Sequence, residues 1–168
     1  RQRQMCIRDR GRNRAPARED YRAMRSATVA VWILRLLGAG FLAFGLLFAF
    51  APSATVGYFS QWGVALGWTQ LPSEGEDGFW RVLAVAFMVM VTVLAFWGAQ
   101  PTPARPALLM VLAVGKLSSS LLALLFYWQV APYFIYLLNF IVDGIIALVV
   151  FGCRQVLVQE ASSGGRAR

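Results

Sequence analysis

The sequence predicts an all-α protein: a four-helix transmembrane bundle with a short interfacial or re-entrant helix in its first outer loop. Three observations predict this fold class. The hydrophobic fraction is 58%, above the roughly 45–50% of ordinary soluble domains. Four apolar segments each have about the 20 residues that a helix needs to cross a bilayer. The loops between these segments differ in charge from one side to the other.

The four predicted spans follow one another along a transmembrane domain of residues 24–156. One apolar segment of this length also occurs as a buried helix of a soluble protein, but four in succession indicate a membrane bundle. The predicted spans are approximately residues 28–51, 79–99, 107–128 and 133–152.

The loop after the first span is rich in aromatic residues, among them Tyr58, Trp62 and Trp68. Such rings are typical of the headgroup level of a membrane. We therefore expect a short helix over about Thr55–Leu66, followed by a polar turn over Pro72–Gly78.

The distribution of charge predicts the topology. Residues 52–78 contain three acidic residues and no Lys or Arg, and the link around residues 129–132 is uncharged. The arginines on the opposite side are Arg25, Arg105, Arg154, Arg166 and Arg168. The positive-inside rule then places both termini in the cytoplasm and the acidic loop outside.

The two ends of the chain are expected to contribute little. Residues 1–23 contain eight arginines, and their opening RQRQMCIRDR resembles translated sequencing-adapter read-through. Met24, followed by Arg25 and an apolar run, is the expected start, so residues 1–23 are interpreted as a non-native or disordered basic leader. No nucleic-acid partner is inferred from them. Residues 157–168 are expected to form a disordered cytoplasmic tail.

The composition excludes several kinds of site. The chain has no histidine, which excludes bis-His haem ligation, the usual zinc sites and a Ser-His-Asp triad. Cys6 lies in the leader, and Cys153, near the end of the last span, is interpreted as a small apolar filler. We therefore predict no metal site, no catalytic residue and no cofactor held by the chain itself.

Two charged residues lie where a bilayer makes charge unfavourable. Lys116 is about ten residues into the third span, and Asp143 is about ten residues into the fourth from the opposite side, which places both roughly 15 Å deep. A short link joins these spans, so they should pair as a hairpin and bring the two charges together. One turn nearer the outside, Ser119, Ser120 and Asn139 should form a second polar layer.

Two interpretations of this intramembrane polar site stay open. Polar side chains commonly hold membrane helices together, so Lys116 and Asp143 could be a structural clamp. Ionisable residues inside a membrane also mark sites used by a substrate, a proton or a quinone. At the outer end of the second span, Asp77, Trp80 and Arg81 could line the mouth of a cleft leading to Lys116, or Asp77 and Arg81 could be an exposed i,i+4 pair.

The layout resembles that of the DoxX-like proteins and related small four-helix bacterial membrane proteins. The resemblance covers roughly Met24–Val156. It rests on the four spans, a first helix that ends in Gly-rich sequence and Pro52, the acidic-aromatic DGFWR start of the second span, and Lys and Asp in the last hairpin. It implies a bacterial inner-membrane location and an association with quinone-linked oxidoreductase complexes, with quinone as the one cofactor it suggests.

Residues and resemblance together favour a non-enzymatic accessory or scaffold subunit of the inner membrane. Its expected partners are the lipid bilayer and either further copies of the chain or other subunits of a membrane complex. The alternatives are a small transporter or proton/ion-coupled carrier that uses the Lys116–Asp143 pair, and a quinone-linked oxidoreductase subunit in which Lys116 or Arg81 donates to a quinone carbonyl.

Overall fold

A computed structural model describes residues 16–69 and 78–165, and all regular structure in these two ranges is helical. The helices are α1 (Pro16–Phe50), α2 (Pro52–Ala65), α3 (Gly78–Gly98), α4 (Arg105–Gln129) and α5 (Phe134–Gly165). The prediction of an all-α protein with four long apolar helices is confirmed. The segments long and apolar enough to cross a membrane are Met24–Phe50, Arg81–Gly98, Arg105–Gln129 and Phe134–Ser162.

The surface of the bundle is unusually apolar, which is the arrangement a bilayer requires. Large side chains such as Leu148 and Trp128, 73% and 74% exposed, point away from the protein. A soluble protein rarely exposes contiguous apolar surface of this extent. The four long helices therefore form a multi-pass membrane protein, with this surface facing lipid.

The four long helices form a ring in the order α1, α3, α4, α5. The contact between α4 and α5 is the most extensive, followed by that between α1 and α3, and smaller contacts of α3 with α4 and of α1 with α5 close the ring. Because consecutive spans run in opposite directions, Arg25, Arg105 and Arg154 lie at one end, which we call the basic end. The Arg154 Nε group donates to the Pro106 carbonyl there, 3.1 Å away.

The opposite end carries α2 and is called the α2 end. The predicted short helix of Thr55–Leu66 is observed as α2, and its last turn lies against Phe134 at the start of α5. Gly67, with φ of +91°, ends α2 in a left-handed conformation that glycine adopts without strain. The N–H groups of Gly67 and Trp68 then donate to the carbonyls of Val64 and Gly63. Whether α2 is interfacial or re-entrant stays a prediction.

Two helices extend beyond the predicted spans. α1 begins at Pro16, so part of the expected leader is helical, while residues 1–15 lie outside the described part of the chain. Proline is favoured in the first turn of a helix because its missing N–H has no intrahelical acceptor there. α5 continues to Gly165, so residues 157–165 of the expected disordered tail are helical. No proline interrupts α5, and Leu157, 2% exposed, anchors the extension in the core.

The core is concentrated near the basic end. On α5, no residue from Phe134 to Val142 is buried, whereas buried residues recur on one face from Asp143 onward. α3 shows the same change, since its buried residues begin only at Val91 among residues 81–98. The apolar core consists of Ala27, Ala30, Leu34, Phe41, Val91, Ala95, Ala99, Leu109, Leu112, Ala113, Val150, Cys153 and Leu157. On α3 and α5 the half at the α2 end is thus looser, whereas Gly45 on α1 and Ser120 and Ala123 on α4 stay buried there.

Candidate functional site

Lys116 and Asp143 form a buried ion pair between α4 and α5. The Lys116 Nζ atom lies 2.9 Å from Asp143 Oδ1 and donates to it. The two residues are only 2% and 4% exposed. Lys116 lies near the middle of α4, and Asp143 lies in the third turn of α5. The short link after Gln129 sets the two helices side by side in opposite directions, which brings these positions level with each other. The predicted pairing is confirmed.

Two aromatic rings complete the surroundings of the lysine. The Nζ atom lies 4.7 Å from the centroid of the Phe41 ring on α1 and 5.3 Å from that of Phe87 on α3. Both distances are within the range of cation–π attraction, which grows stronger when the cation is desolvated. Lys116, itself on α4, therefore contacts each of the other three long helices.

A second polar layer lies one helical turn nearer the α2 end. The Ser120 hydroxyl, on a residue 1% exposed, donates to the Phe140 carbonyl of α5 at 2.7 Å. The Asn139 amide nitrogen donates to the Ser119 Oγ atom at 3.3 Å. The residues predicted to surround the ion pair are thus close together, although Ser120 binds a backbone carbonyl and not the Asn139 side chain.

Gly144 allows the two helices to approach closely at this layer. A Cβ atom at that position would lie 3.1 Å from the Ser120 Oγ atom, a tighter approach than carbon and oxygen usually make. Among the described residues, every buried side-chain nitrogen or oxygen has a hydrogen-bond partner. The polar atoms of the site therefore satisfy one another in this conformation, and the two charged side chains are almost fully buried. The site can hold the four long helices together.

The candidate outer cleft is only partly covered by the described residues. Asp77 lies outside them, and Trp80 belongs to α3 without a described side chain. Arg81 is exposed near the start of α3. The cleft and the alternative exposed pair of Asp77 with Arg81 both stay predictions.

The rings of Phe41 and Phe87 are the part of the site that the sequence did not reveal. Both lie in continuous apolar runs where phenylalanine is unremarkable. The sequence contains one indication that these rings are near the lysine. A buried cation favours aromatic neighbours, and both rings lie near the middle of their spans, at the depth expected for Lys116.

In the described ranges, no three His, Cys, Asp or Glu side chains are placed so that they could hold a metal ion. Comparison of the chain with protein-family models, with curated proteins and with solved structures finds no match. The functional interpretation therefore depends on the site itself.

Proposed function

We propose that this protein is a non-enzymatic accessory or scaffold subunit of a bacterial inner membrane, related to the DoxX-like proteins, with both termini in the cytoplasm. One observation carries the proposal: the Lys116 ammonium is shared among Asp143, Phe41 and Phe87, which belong to three different helices. A charge held in this way fixes which helices are neighbours and in which register they pack.

The energetics agree with this role. A charged side chain alone at the centre of a membrane is unfavourable by about 2.5–3.5 kcal/mol on insertion scales. An arrangement of the helices that separated Lys116 from Asp143 would leave two such charges. The native arrangement is therefore lower in free energy than arrangements in which one helix is shifted by a turn.

Charge exchange tests the structural role. Lys116→Asp and Asp143→Lys each place two like charges at the pair and should sharply lower the amount of folded protein in the membrane, because the 2.9 Å contact becomes repulsive. The double variant with both changes should recover most of it. Membrane abundance and elution in size-exclusion chromatography are the readouts. A double variant as poorly folded as either single one would contradict the clamp.

The accessory role has its own test. The protein, expressed at its native level and extracted in mild detergent, should co-purify with other membrane subunits. A particle that contains only this chain would contradict that role and leave the structural role of the pair unaffected. Reporter fusions at the C-terminus, active only on one side of the membrane, test the proposed topology.

The second candidate is a small proton- or ion-coupled carrier, and the uneven packing of the bundle favours it. On α5 the ion pair lies at the boundary between the buried half near the basic end and the looser half at the α2 end, since Asp143 is the first buried residue of that helix. Asn139, one turn from Asp143 in that looser half, is on the core-facing side of α5 by helical spacing and yet is exposed. Water or an ion could approach the pair from the α2 end.

Thiol labelling tests this access. In a chain whose native cysteines are replaced by serine, Asn139→Cys should react with a membrane-impermeant maleimide added on the α2 side. The matched Ala147→Cys, buried one turn beyond Asp143, should not react. Uptake of protons or cations by proteoliposomes should then be lost in the apolar variant Lys116→Met/Asp143→Leu. An unlabelled Asn139→Cys, or uptake that survives the apolar variant, would count against the carrier.

A quinone-linked role has weaker support. Lys116 does not fit a quinone carbonyl, because its ammonium is already enclosed by Asp143 and two rings and is 2% exposed. Arg81, which is exposed, remains the one predicted donor that a quinone could reach.

A further inference from the structure

A groove of about 460 Å³ lies between α1 and α5 at the basic end. Small residues form its floor: Ala30 and Cys153 are buried there, and Gly152 lies beside them. Val29 and Val149 form apolar walls. The groove is separate from the ion pair, since neither Lys116 nor Asp143 lines it.

The small residues explain why the groove exists. A Cβ atom added to Gly152 would meet no atom within 4 Å, so the space beside α5 is not filled by the chain. The contact between α1 and α5 is also among the smaller ones in the ring. In a bilayer, such a gap is filled by hydrocarbon, because an empty apolar space loses dispersion contacts along its whole lining.

Arg25 gives the groove a charge at one end. The candidate span of α1 begins at Met24, which places Arg25 at the headgroup level. Arg105 and Arg154 at the same end each donate to a backbone carbonyl. Arg25 is exposed and forms no side-chain hydrogen bond or ion pair with the described residues. Its planar guanidinium suits the paired oxygens of a phosphate.

We infer that the groove binds an anionic phospholipid, with an acyl chain along Ala30 and Gly152 and the headgroup phosphate on Arg25. Charge favours this occupant over a second copy of the chain. Two copies that met through this face around a two-fold axis would bring like surfaces, and with them both Arg25 residues, towards each other. A phosphate neutralises the arginine instead.

Native mass spectrometry of the full-length protein with added phosphatidylglycerol or phosphatidylcholine of equal chain length tests the inference. One juxtamembrane arginine contributes roughly 1 kcal/mol of attraction to an anionic lipid, so we expect about a fivefold preference of the wild type for phosphatidylglycerol. Arg25→Gln should abolish the preference, whereas the charge-matched Arg81→Gln, at the α2 end, should keep it.

A substitution that fills the groove provides a second, independent test of lipid binding. Gly152→Leu should remove the bound lipid of either kind, because its Cβ meets no atom within 4 Å and the rest of the new side chain extends into the acyl-chain space. Gly40→Leu is the matched control, since Gly40 also has no neighbour within 4 Å of an added Cβ but does not line the groove. Normal elution of both variants in size-exclusion chromatography would establish that they fold.

Three results would overturn the inference. The first is equal retention of both lipids by the wild type. The second is unchanged lipid binding by the Gly152→Leu variant. The third is a lipid-free dimer of the wild type that Gly152→Leu converts to a monomer, which would show that a second copy occupies the groove.

Discussion

Replacing Lys116 by methionine is the most informative single perturbation of this protein. Methionine keeps an unbranched side chain of similar length, so the change removes the charge while largely preserving packing. It deletes the 2.9 Å ion pair with Asp143 and the two cation–π contacts with Phe41 and Phe87. Asp143, 4% exposed, is then left buried without its cation.

The expected magnitude follows from this geometry. Breaking a buried ion pair by removing one partner destabilises a protein by about 3–5 kcal/mol, since an uncompensated charge remains. Replacing both partners by apolar residues is often neutral or stabilising. Lys116→Met should therefore be several kcal/mol less stable than the wild type, and Lys116→Met/Asp143→Leu should regain most of that loss. The coupling free energy between the two positions should be about 3 kcal/mol or more.

Reversible unfolding in mixed micelles, followed by tryptophan fluorescence as the fraction of sodium dodecyl sulfate rises, measures these free energies. Helices persist in such micelles, so the transition reports their association. The four proteins of the cycle are the wild type, both single variants and the double variant. A single Lys116→Met variant within about 1 kcal/mol of the wild type, the range of an exposed ion pair, would refute the reasoning. So would a double variant whose loss equals the sum of the single losses.

Three further predictions use the close contacts of the bundle, with unfolding in mixed micelles as the measurement. Gly144→Val should destabilise the protein by about 1–3 kcal/mol through overpacking against Ser120. The control Gly115→Val, with open space around an added Cβ, should lose clearly less stability. Equal losses would contradict the close approach of α4 and α5. Ser120→Ala deletes a hydroxyl that donates a hydrogen bond to an α5 carbonyl, and it should lower the free energy of unfolding by about 0.6 kcal/mol and at most about 1.7. A variant more stable than the wild type would contradict a stabilising role of that hydrogen bond. Gly98→Ala should clash with the Leu109 side chain and destabilise the wild type, but have little effect in a Leu109→Ala background; an unchanged effect there would assign the loss to another cause.

The sequence was sufficient for the spans and for the ion pair. Apolar runs of about 20 residues indicate membrane-spanning helices directly, because every backbone group inside a bilayer needs a hydrogen-bond partner within its own helix. Lys116 and Asp143 could be paired because a short link fixes the relative depth of two antiparallel helices, and depth can be counted in residues. The same counting placed Asn139 and Ser119 together.

The parts that the sequence did not reveal depend on contacts between helices distant in the chain. Depth sets Phe41 and Phe87 apart from Phe50, which ends its span and is 84% exposed, but depth alone does not show which face of a helix contacts Lys116. The extension of α5 to Gly165 does not follow from the sequence, because its polar residues are typical of a disordered tail and only the structure shows that Leu157 packs into the core. The groove at Arg25 does not follow from the sequence either, because it depends on how α1 and α5 fit together.

The bundle is best understood as two helix pairs that differ in what holds them together. In the described part of the chain, the pair of α4 and α5 is joined by four polar contacts: Lys116–Asp143, Ser120–Phe140, Asn139–Ser119 and Arg154–Pro106. The pair of α1 and α3 packs through glycine, with Gly38 against the Phe96 ring and Gly45 against Met88. The α4–α5 pair can thus satisfy its own charges, but the Lys116 ammonium is covered only when the other pair supplies Phe41 and Phe87. Burial of Lys116 therefore makes the formation of the α4–α5 pair and of the α1–α3 pair depend on the docking of the two pairs against each other.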